Sequence, residues 1–352
     1  MNNKKFDFVS IQYTDICNLG CPFCNLQSTT KGSTLDTATF DALIRYFSEV
    51  GTKVLLLTGG EVLQPNSQLI SRLEPTDMQG IGEIVLQTNG VYLTREKFER
   101  LNCLPRLEVI EVSYHDQVSV QLREKIDHNI EDALNFGLPV EINYVVGKHN
   151  QKHVMQLFKQ HSQLGARKFH FIRQGPEGYG KSEQNQIFPY SDWFGFLNNL
   201  RGEQKNSPAE IWVEPSMIDL KTFRKLRLQN FGACLDQKKI IITATGHIKR
   251  CFFLGPEQEE IISPSNLCRL IEGSKPFQGN STDENCERCN IYSSCKGGCA
   301  LYDSVGHDDA FKSKNIIPTC PILQVPISSL DNLLGRRIIA PDPIERYIQI
   351  PV

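Results

Sequence analysis

The chain has 352 residues, 40% of them hydrophobic and 22% charged, with a formal net charge of −2. That length can bury a large core, and the composition is ordinary for a soluble globular protein. The near-neutral balance gives no electrostatic reason to expect nucleic acid or an anionic membrane as partner, and the longest aliphatic run, Val54 to Leu57, is far short of the roughly 20 residues that span a bilayer.

Met1 to Lys5 lead straight into a strand pattern with no apolar secretory segment, so the expected location is cytoplasmic. Residues 6–13 (Phe6, Phe8, Ile11 and Tyr13 among polar neighbours) predict a first strand. Phe40, Leu43, Ile44 and Phe47 fall at i, i+3, i+4 and i+7, one helix face, which Gly51 stops. Val54–Leu57 suits a strand buried on both sides. The alternation repeats, with strands near 83–88, 107–113, 139–146 and 168–173 and helical stretches between them. Asn150 is placed to cap a helix that carries Val154, Leu157 and Phe158 and ends at Gly165. Six strand–helix units in succession predict an α/β fold with a parallel sheet. Periodicity alone does not choose between an open sheet and a curved partial barrel. In either, ligands gather at the carboxyl ends of the strands.

After about residue 205 this rhythm fades and cysteines become dense. Twelve cysteines without a secretory signal point to metal ligands or catalytic groups rather than disulfides. The first group, Cys17, Cys21 and Cys24, is a C-x3-C-x2-C run just past the first strand. Three thiolates so close in sequence can hold three irons of a four-iron cluster, leaving the fourth iron open to a small molecule. A structural zinc site would want a fourth ligand, and no further cysteine or histidine lies nearby in sequence. The second group begins with Cys234, Gly246 and Cys251 around a predicted hairpin (Ile240–Ile242, then Ile248). It continues as C-x2-C-x5-C-x3-C at Cys286, Cys289, Cys295 and Cys299, with Cys320 downstream. Taken alone, those two pairs would also suit a zinc ribbon. Cys103 and Cys268 match no motif and are expected as small buried hydrophobes.

The first run and the segments after it resemble the radical S-adenosylmethionine (radical SAM) superfamily over roughly residues 8–325. Phe23 holds the aromatic position that lies near the adenine in that family. Gly59-Gly60-Glu61 resembles the motif whose backbone and carboxylate meet the methionine amino group. Thr88-Asn89-Gly90 ends the third strand as in many members, and Ser113, at the end of the fourth, stands where a serine is often near the ribose. Ser113 would equally suit a cap. Arg123 occupies roughly the place of an arginine near the SAM carboxylate. Val62 replaces the proline many members have after the glutamate, which should alter the turn more than the chemistry. His115 and Asp116 follow strand four at the cavity mouth, where plain surface loop is the simplest expectation.

The second group is similar to the seven-cysteine SPASM domain of radical SAM enzymes that modify ribosomally made peptides and proteins. The resemblance implies a partial (β/α)6 TIM-like barrel over residues 1–205, a small cysteine-rich SPASM domain over 206–325, and an extension at 326–352 packing on the barrel. It implies that Cys17, Cys21 and Cys24 hold a catalytic [4Fe-4S] cluster that binds SAM. Two auxiliary iron–sulfur clusters would follow, one on Cys234, Cys251 and Cys299, the other on Cys286, Cys289, Cys295 and Cys320. With no cysteine between Cys103 and Cys234, the first auxiliary cluster would have only three cysteine ligands. By the same resemblance, reduction of the SAM-binding cluster cleaves SAM to a 5′-deoxyadenosyl radical, which abstracts hydrogen from a ribosomally made peptide or protein. The auxiliary clusters would support oxidative modification or cross-linking. The alternative is a dehydrogenase or epimerase acting on an aminoglycoside or sugar. A flavodoxin- or ferredoxin-type donor would supply electrons. Strand one starts near residue 6, leaving no room for a leader-recognition domain, so a leader would be bound by a separate leader-binding protein, by the barrel itself, or not at all.

Overall fold

The computed structural model describes residues 6–175, 190–204, 209–214, 239–249, 251, 259–274, 319–320 and 325–326. Seven parallel strands follow in chain order: β1 (Phe6–Thr14), β2 (Thr52–Gly59), β3 (Ile81–Thr88), β4 (Leu107–Tyr114), β5 (Val140–Val146), β6 (Lys168–Arg173) and β7 (Glu210–Glu214). Each pairs with the next in sequence, and the chain between them forms α1 (Thr37–Val50), α2 (Leu69–Leu73), α3 (Arg95–Asn102), α4 (Val120–Phe136), α5 (Gln151–Gln163) and α6 (Tyr190–Gln204). β8 (Lys239–Ile242) adds in parallel on the far side of β1, and β9 (Ile248–Lys249) pairs antiparallel with it, forming the predicted hairpin. The order β7-β6-β5-β4-β3-β2-β1-β8-β9 places β1 inside the sheet. Thus the sheet continues past residue 205, where the βα rhythm had faded. A short helix α7 (Leu267–Gly273) and a two-stranded pair, β10 (Thr319–Cys320) with β11 (Val325–Pro326), complete the described elements.

Side chains of a strand alternate between the two faces of its sheet. One face packs under the helices: Ile11, Leu57, Leu86, Ile110, Ile142 and Phe169 belong to the main core, together with Phe40, Leu43, Ile44 and Phe47 of α1. The other face holds a separate apolar cluster of Leu56, Val85 and Val109 with Phe8 and Val54. Because both faces are covered, the strands read as near-continuous apolar runs.

Helix ends follow local chemistry. Asp36 caps α1, its Oδ2 accepting from Thr39 N and Thr39 Oγ1, both at 3.0 Å. Ser119 caps α4 through Leu122 N at 3.3 Å, and Gly137 closes that helix at φ 93°, a left-handed turn costly for residues with a Cβ. Asn150 does stand at the start of α5, but its side chain turns back. Its Oδ1 accepts from Gly147 N at 2.9 Å, and its Nδ2 donates to Val145 O and Asp116 Oδ1. It therefore fastens the β5–α5 turn to the loop after β4 rather than capping helical amides.

Two expectations of burial fail. Cys103 and Cys268 are exposed. Cys103 closes the C-terminus of α3, and Cys268 falls off the face of α7 formed by Leu267, Leu270 and Ile271.

Glu141 on β5 interacts with Lys168, Glu83 and Glu210, and burial above all pushes its carboxyl up to about 7. The folded state therefore binds this proton more tightly than the unfolded chain. The stabilisation is complete below pH 4.5 and is lost as pH rises through about 7. Glu141→Gln, neutral throughout, is expected to raise Tm at pH 8 by about 2–4 °C and to change it little at pH 4.5. Equal shifts in melts at both pH values would refute this.

Candidate functional site

Residues 15–34 form a loop between β1 and α1 that carries the three cysteines, pinned at its base by backbone hydrogen bonds. Asp15 N donates to Ser33 O at 2.9 Å, Cys17 N to Thr29 O at 2.7 Å, and Leu35 N to Tyr13 O at 2.8 Å. Cys24 N donates to Cys21 O at 3.1 Å, closing the turn between the second and third thiols. The end of β2 zips onto the loop's other side: Gly60 N donates to Thr14 O at 2.6 Å and Glu61 N to Ile16 O at 2.8 Å. This approach requires glycine. A Cβ on Gly59, at φ +150°, would lie 2.1 Å from Thr14 O, and one on Gly60 2.2 Å from Ile16 O.

Cys17 is buried, and Cys21 and Cys24 are half-buried. Cys17 Sγ accepts from Leu19 N at 3.4 Å and from Asn89 Nδ2 at 3.8 Å. Burial pushes the Cys17 thiol up to about 11. Cys21 rises to about 12, through burial first and then the charges of Cys17 and Cys24. Three thiols that repel one another as thiolates are a donor set that bound cationic iron would relieve. Among the described residues, no three cysteine, histidine or carboxylate groups converge closely enough to share one metal ion. A cluster does not ask for that convergence, since each thiolate binds a separate iron.

Glu61 is completely buried. Its Oε1 accepts from Leu63 N at 2.8 Å and Thr88 Oγ1 at 2.7 Å, and its Oε2 accepts from Asn89 N at 2.7 Å. Burial pushes the carboxyl up, and the donors on Asn89, Thr88 and Leu63 draw it back. The carboxylate thus couples the end of β2 to that of β3. Asn89 extends the coupling, since its Nδ2 also donates to Asn18 Oδ1 at 2.9 Å and its Oδ1 accepts from Val91 N at 3.0 Å. The sequence marked Thr88-Asn89-Gly90 only as a strand end. Its link between Glu61 and Cys17 becomes visible once both loops are placed.

Phe23 is nearly buried, with its ring centroid 5.2 Å from that of His115. A small cleft separates Gly20, Cys21 and Phe23 from His115, Gln117 and Val118. His115 is therefore more than surface loop: its Nδ1 is buried without a hydrogen-bond partner, and burial lowers its pKa to about 4, so the ring is neutral. Asp116 turns away, accepting from Asn150 Nδ2 at 3.1 Å and pairing with His153 at 3.4 Å. Ser113, half-buried, lies on β4 in register with Asn143 of β5. Arg123 is half-buried in the first turn of α4. The structure thus brings Cys17, Cys21, Cys24, Phe23, Gly59, Gly60 and Glu61 to one end of the sheet, with Ser113 at the same end of β4.

Cys251, just past β9, is half-buried. Cys234, Cys286, Cys289, Cys295 and Cys299 lie outside the described residues, as does the side chain of Cys320. So do residues 327–352.

Residues 11–160 match the family model described as the radical SAM superfamily. The particular relatives divide. A probable GTP 3′,8-cyclase of Sulfolobus acidocaldarius is 29% identical over 280 residues, covering 76% of this chain and 86% of that protein. One of Sulfurisphaera tokodaii is 25% identical over 278 residues, covering 74% and 85%. Among solved structures, SuiB of Streptococcus suis bound to S-adenosylmethionine superposes with a TM-score of 0.66 at 15% identity, over 92% of this chain and 77% of that one. anSMEcpe with bound AdoMet gives 0.60 at 16% identity, over 94% and 99%. These likenesses establish the partial-barrel fold.

Proposed function

We propose that this radical SAM enzyme modifies a ribosomally made peptide or protein, using Cys17, Cys21 and Cys24 to hold the SAM-binding [4Fe-4S] cluster. The observation that carries the cluster assignment is the glycine-zipped loop that holds three thiols at the carboxyl end of β1. A bound cluster and SAM supply a 5′-deoxyadenosyl radical. The chain's own residues do the rest. Phe23, backed by the neutral ring of His115, offers an apolar platform for adenine. Gly59 and Gly60 bring backbone close to the cysteine loop, where the methionine amino group would sit, and Glu61 and Asn89 lock that backbone to Cys17. Ser113 and Arg123 would face the ribose and the SAM carboxylate. Enclosure matters, because a primary radical attacks whatever it meets.

The peptide reading is supported by the shared fold of SuiB, which was solved with the precursor peptide SuiA, and of anSMEcpe, solved with the Cp18Cys peptide. It draws also on seven of the eight cysteines from Cys234 to Cys320, all but Cys268, which we assign to two auxiliary clusters in a SPASM domain over residues 206–325. Oxidative modification or cross-linking then follows, with a flavodoxin- or ferredoxin-type reductant. The second reading is cyclisation of GTP, favoured by the Sulfolobus acidocaldarius relative at 29% identity. It takes the place of an aminoglycoside or sugar as the small-molecule alternative. Among the described residues no helix is long and apolar enough to cross a membrane.

The test is anaerobic turnover with deuterated candidates. Deuterium passing from a peptide into 5′-deoxyadenosine supports the first reading. Deuterium passing from labelled GTP overturns it in favour of the second.

A further inference from the structure

Taking the peptide reading as its premise, the inner face of the sheet points to the part of the substrate that is held. Three layers rise along this face. The floor is apolar: Leu56, Val85 and Val109 lie side by side in register on β2, β3 and β4. One step towards the cysteine loop the residues turn polar. Gln12 is in register with Thr58, and Gln87 with Glu111. Thr58 Oγ1 donates to Gln87 Oε1 at 2.5 Å, Gln87 Nε2 donates to Glu111 Oε2 at 3.0 Å, and Asn143 Nδ2 donates to the same oxygen at 3.1 Å. Asn143 and Ser113 form the next layer, at the mouth.

Along this face carboxamide edges are left unmet. Gln12, Asn143 and Gln174 are 4%, 3% and 1% exposed, yet Gln12 Nε2, Asn143 Oδ1 and Gln174 Oε1 have no hydrogen-bond partner. Gln174 directly follows β6, its backbone N donating to Val146 O at 2.9 Å, and alternation from His170 and Ile172 places it on the same face. Buried polar atoms are nearly always satisfied, so unmet ones call for a ligand or water. Here one donor and two acceptors lie on the same face of the sheet, on β1, on β5 and just past β6.

We propose that these carboxamides form a subsite that holds an uncharged amide edge of the substrate, Gln12 donating to its carbonyl and Asn143 or Gln174 accepting from its N–H. The charges select against a polyphosphate. Glu111, Glu141, Lys168 and Glu210 follow one another in register across β4 to β7, three carboxylates to one ammonium, and Lys239, in register with Phe8, lies towards the floor. An anion entering this layer would meet an excess of carboxylates. The lactam edge of guanine shares the donor–acceptor pattern of a peptide amide, so the two sources must be separated by experiment.

Saturation-transfer NMR on anaerobically reconstituted protein with SAM would use N-acetylglutaminamide, guanosine and GTP as probes. The expected result is transfer to the amide probe that weakens about fivefold for each hydrogen bond removed, in Gln12→Met and separately in Gln174→Met, with GTP no better than guanosine. Transfer to guanosine but not to the amide, with the same sensitivity to both substitutions, keeps the subsite and assigns its amide edge to a purine. Transfer unchanged in both variants, or GTP binding more tightly than guanosine, overturns the subsite. Formation of 5′-deoxyadenosine by the wild-type protein is scored separately. Its absence counts against the radical SAM reading and leaves the binding result interpretable.

Discussion

Glu61→Ala is expected to destabilise the folded protein by roughly 3–5 kcal/mol. Three buried donors, Leu63 N, Thr88 Oγ1 and Asn89 N, lose their acceptor together. Each unmet buried donor costs about 1–3 kcal/mol, and the three act as one network, so the sum is less than additive. The loss should spread beyond stability. Asn89 would be freed to turn from Cys17 and Asn18, and iron content after reconstitution should fall with it. Glu61→Gln keeps size and one acceptor oxygen but turns an NH2 towards another donor, so it should cost about half as much. Anaerobic denaturation with iron and sulfide analysis measures both effects. Stability within about 0.5 kcal/mol of wild type in both variants would show that the carboxylate does not join the two loops.

Gly60→Ala should strain the same junction through sterics alone. The added carbon would sit 2.2 Å from the carbonyl oxygen of Ile16 and 2.6 Å from its carbon, both of them backbone atoms. Backbone cannot swing aside as a flexible side chain can, so either the Gly60–Thr14 and Glu61–Ile16 hydrogen bonds open or the cysteine loop shifts. Overpacking of this kind costs about 1–3 kcal/mol or more. Because the strain falls one residue from Cys17, cluster assembly should suffer more than global stability. The expected signature is a modest drop in Tm with a large loss of bound iron and of SAM cleavage. Wild-type iron content in Gly60→Ala would contradict the view that the glycines exist for close approach.

Much of this arrangement was legible in the sequence, for identifiable reasons. Six strands were readable because each is a run of apolar residues bounded by glycine or a polar turn, and each lies within two residues of its predicted limits. α1 was readable because its buried face includes Phe40, Leu43, Ile44 and Phe47 at helical spacing. β7, five residues long, was not read as a strand, and β8, expected as a hairpin strand, was not expected to pair in parallel with β1. Period-two alternation shows that a segment is a strand but not which edge it joins. The cysteines and glycines of the site were visible as motifs. What they do to each other was not, because the Glu61–Asn89–Cys17 chain crosses three loops. His115 was misjudged for the same reason, since its position after β4 suggested solvent whereas Phe23, from the loop after β1, supplies the covering ring. Asn150 sits where a cap belongs, yet a competing local bond to Gly147 takes its side chain.

The central claim is that Cys17, Cys21 and Cys24 share one cluster that delivers an electron to SAM. The direct measurement is 5′-deoxyadenosine formed under dithionite by anaerobically reconstituted protein, alongside its low-temperature EPR spectrum with and without SAM. The account predicts product from the wild type, a spectrum that changes on adding SAM, and neither in a Cys17→Ala, Cys21→Ala, Cys24→Ala triple variant. Product formation by that variant, or a wild-type cluster whose spectrum SAM leaves untouched, would contradict it.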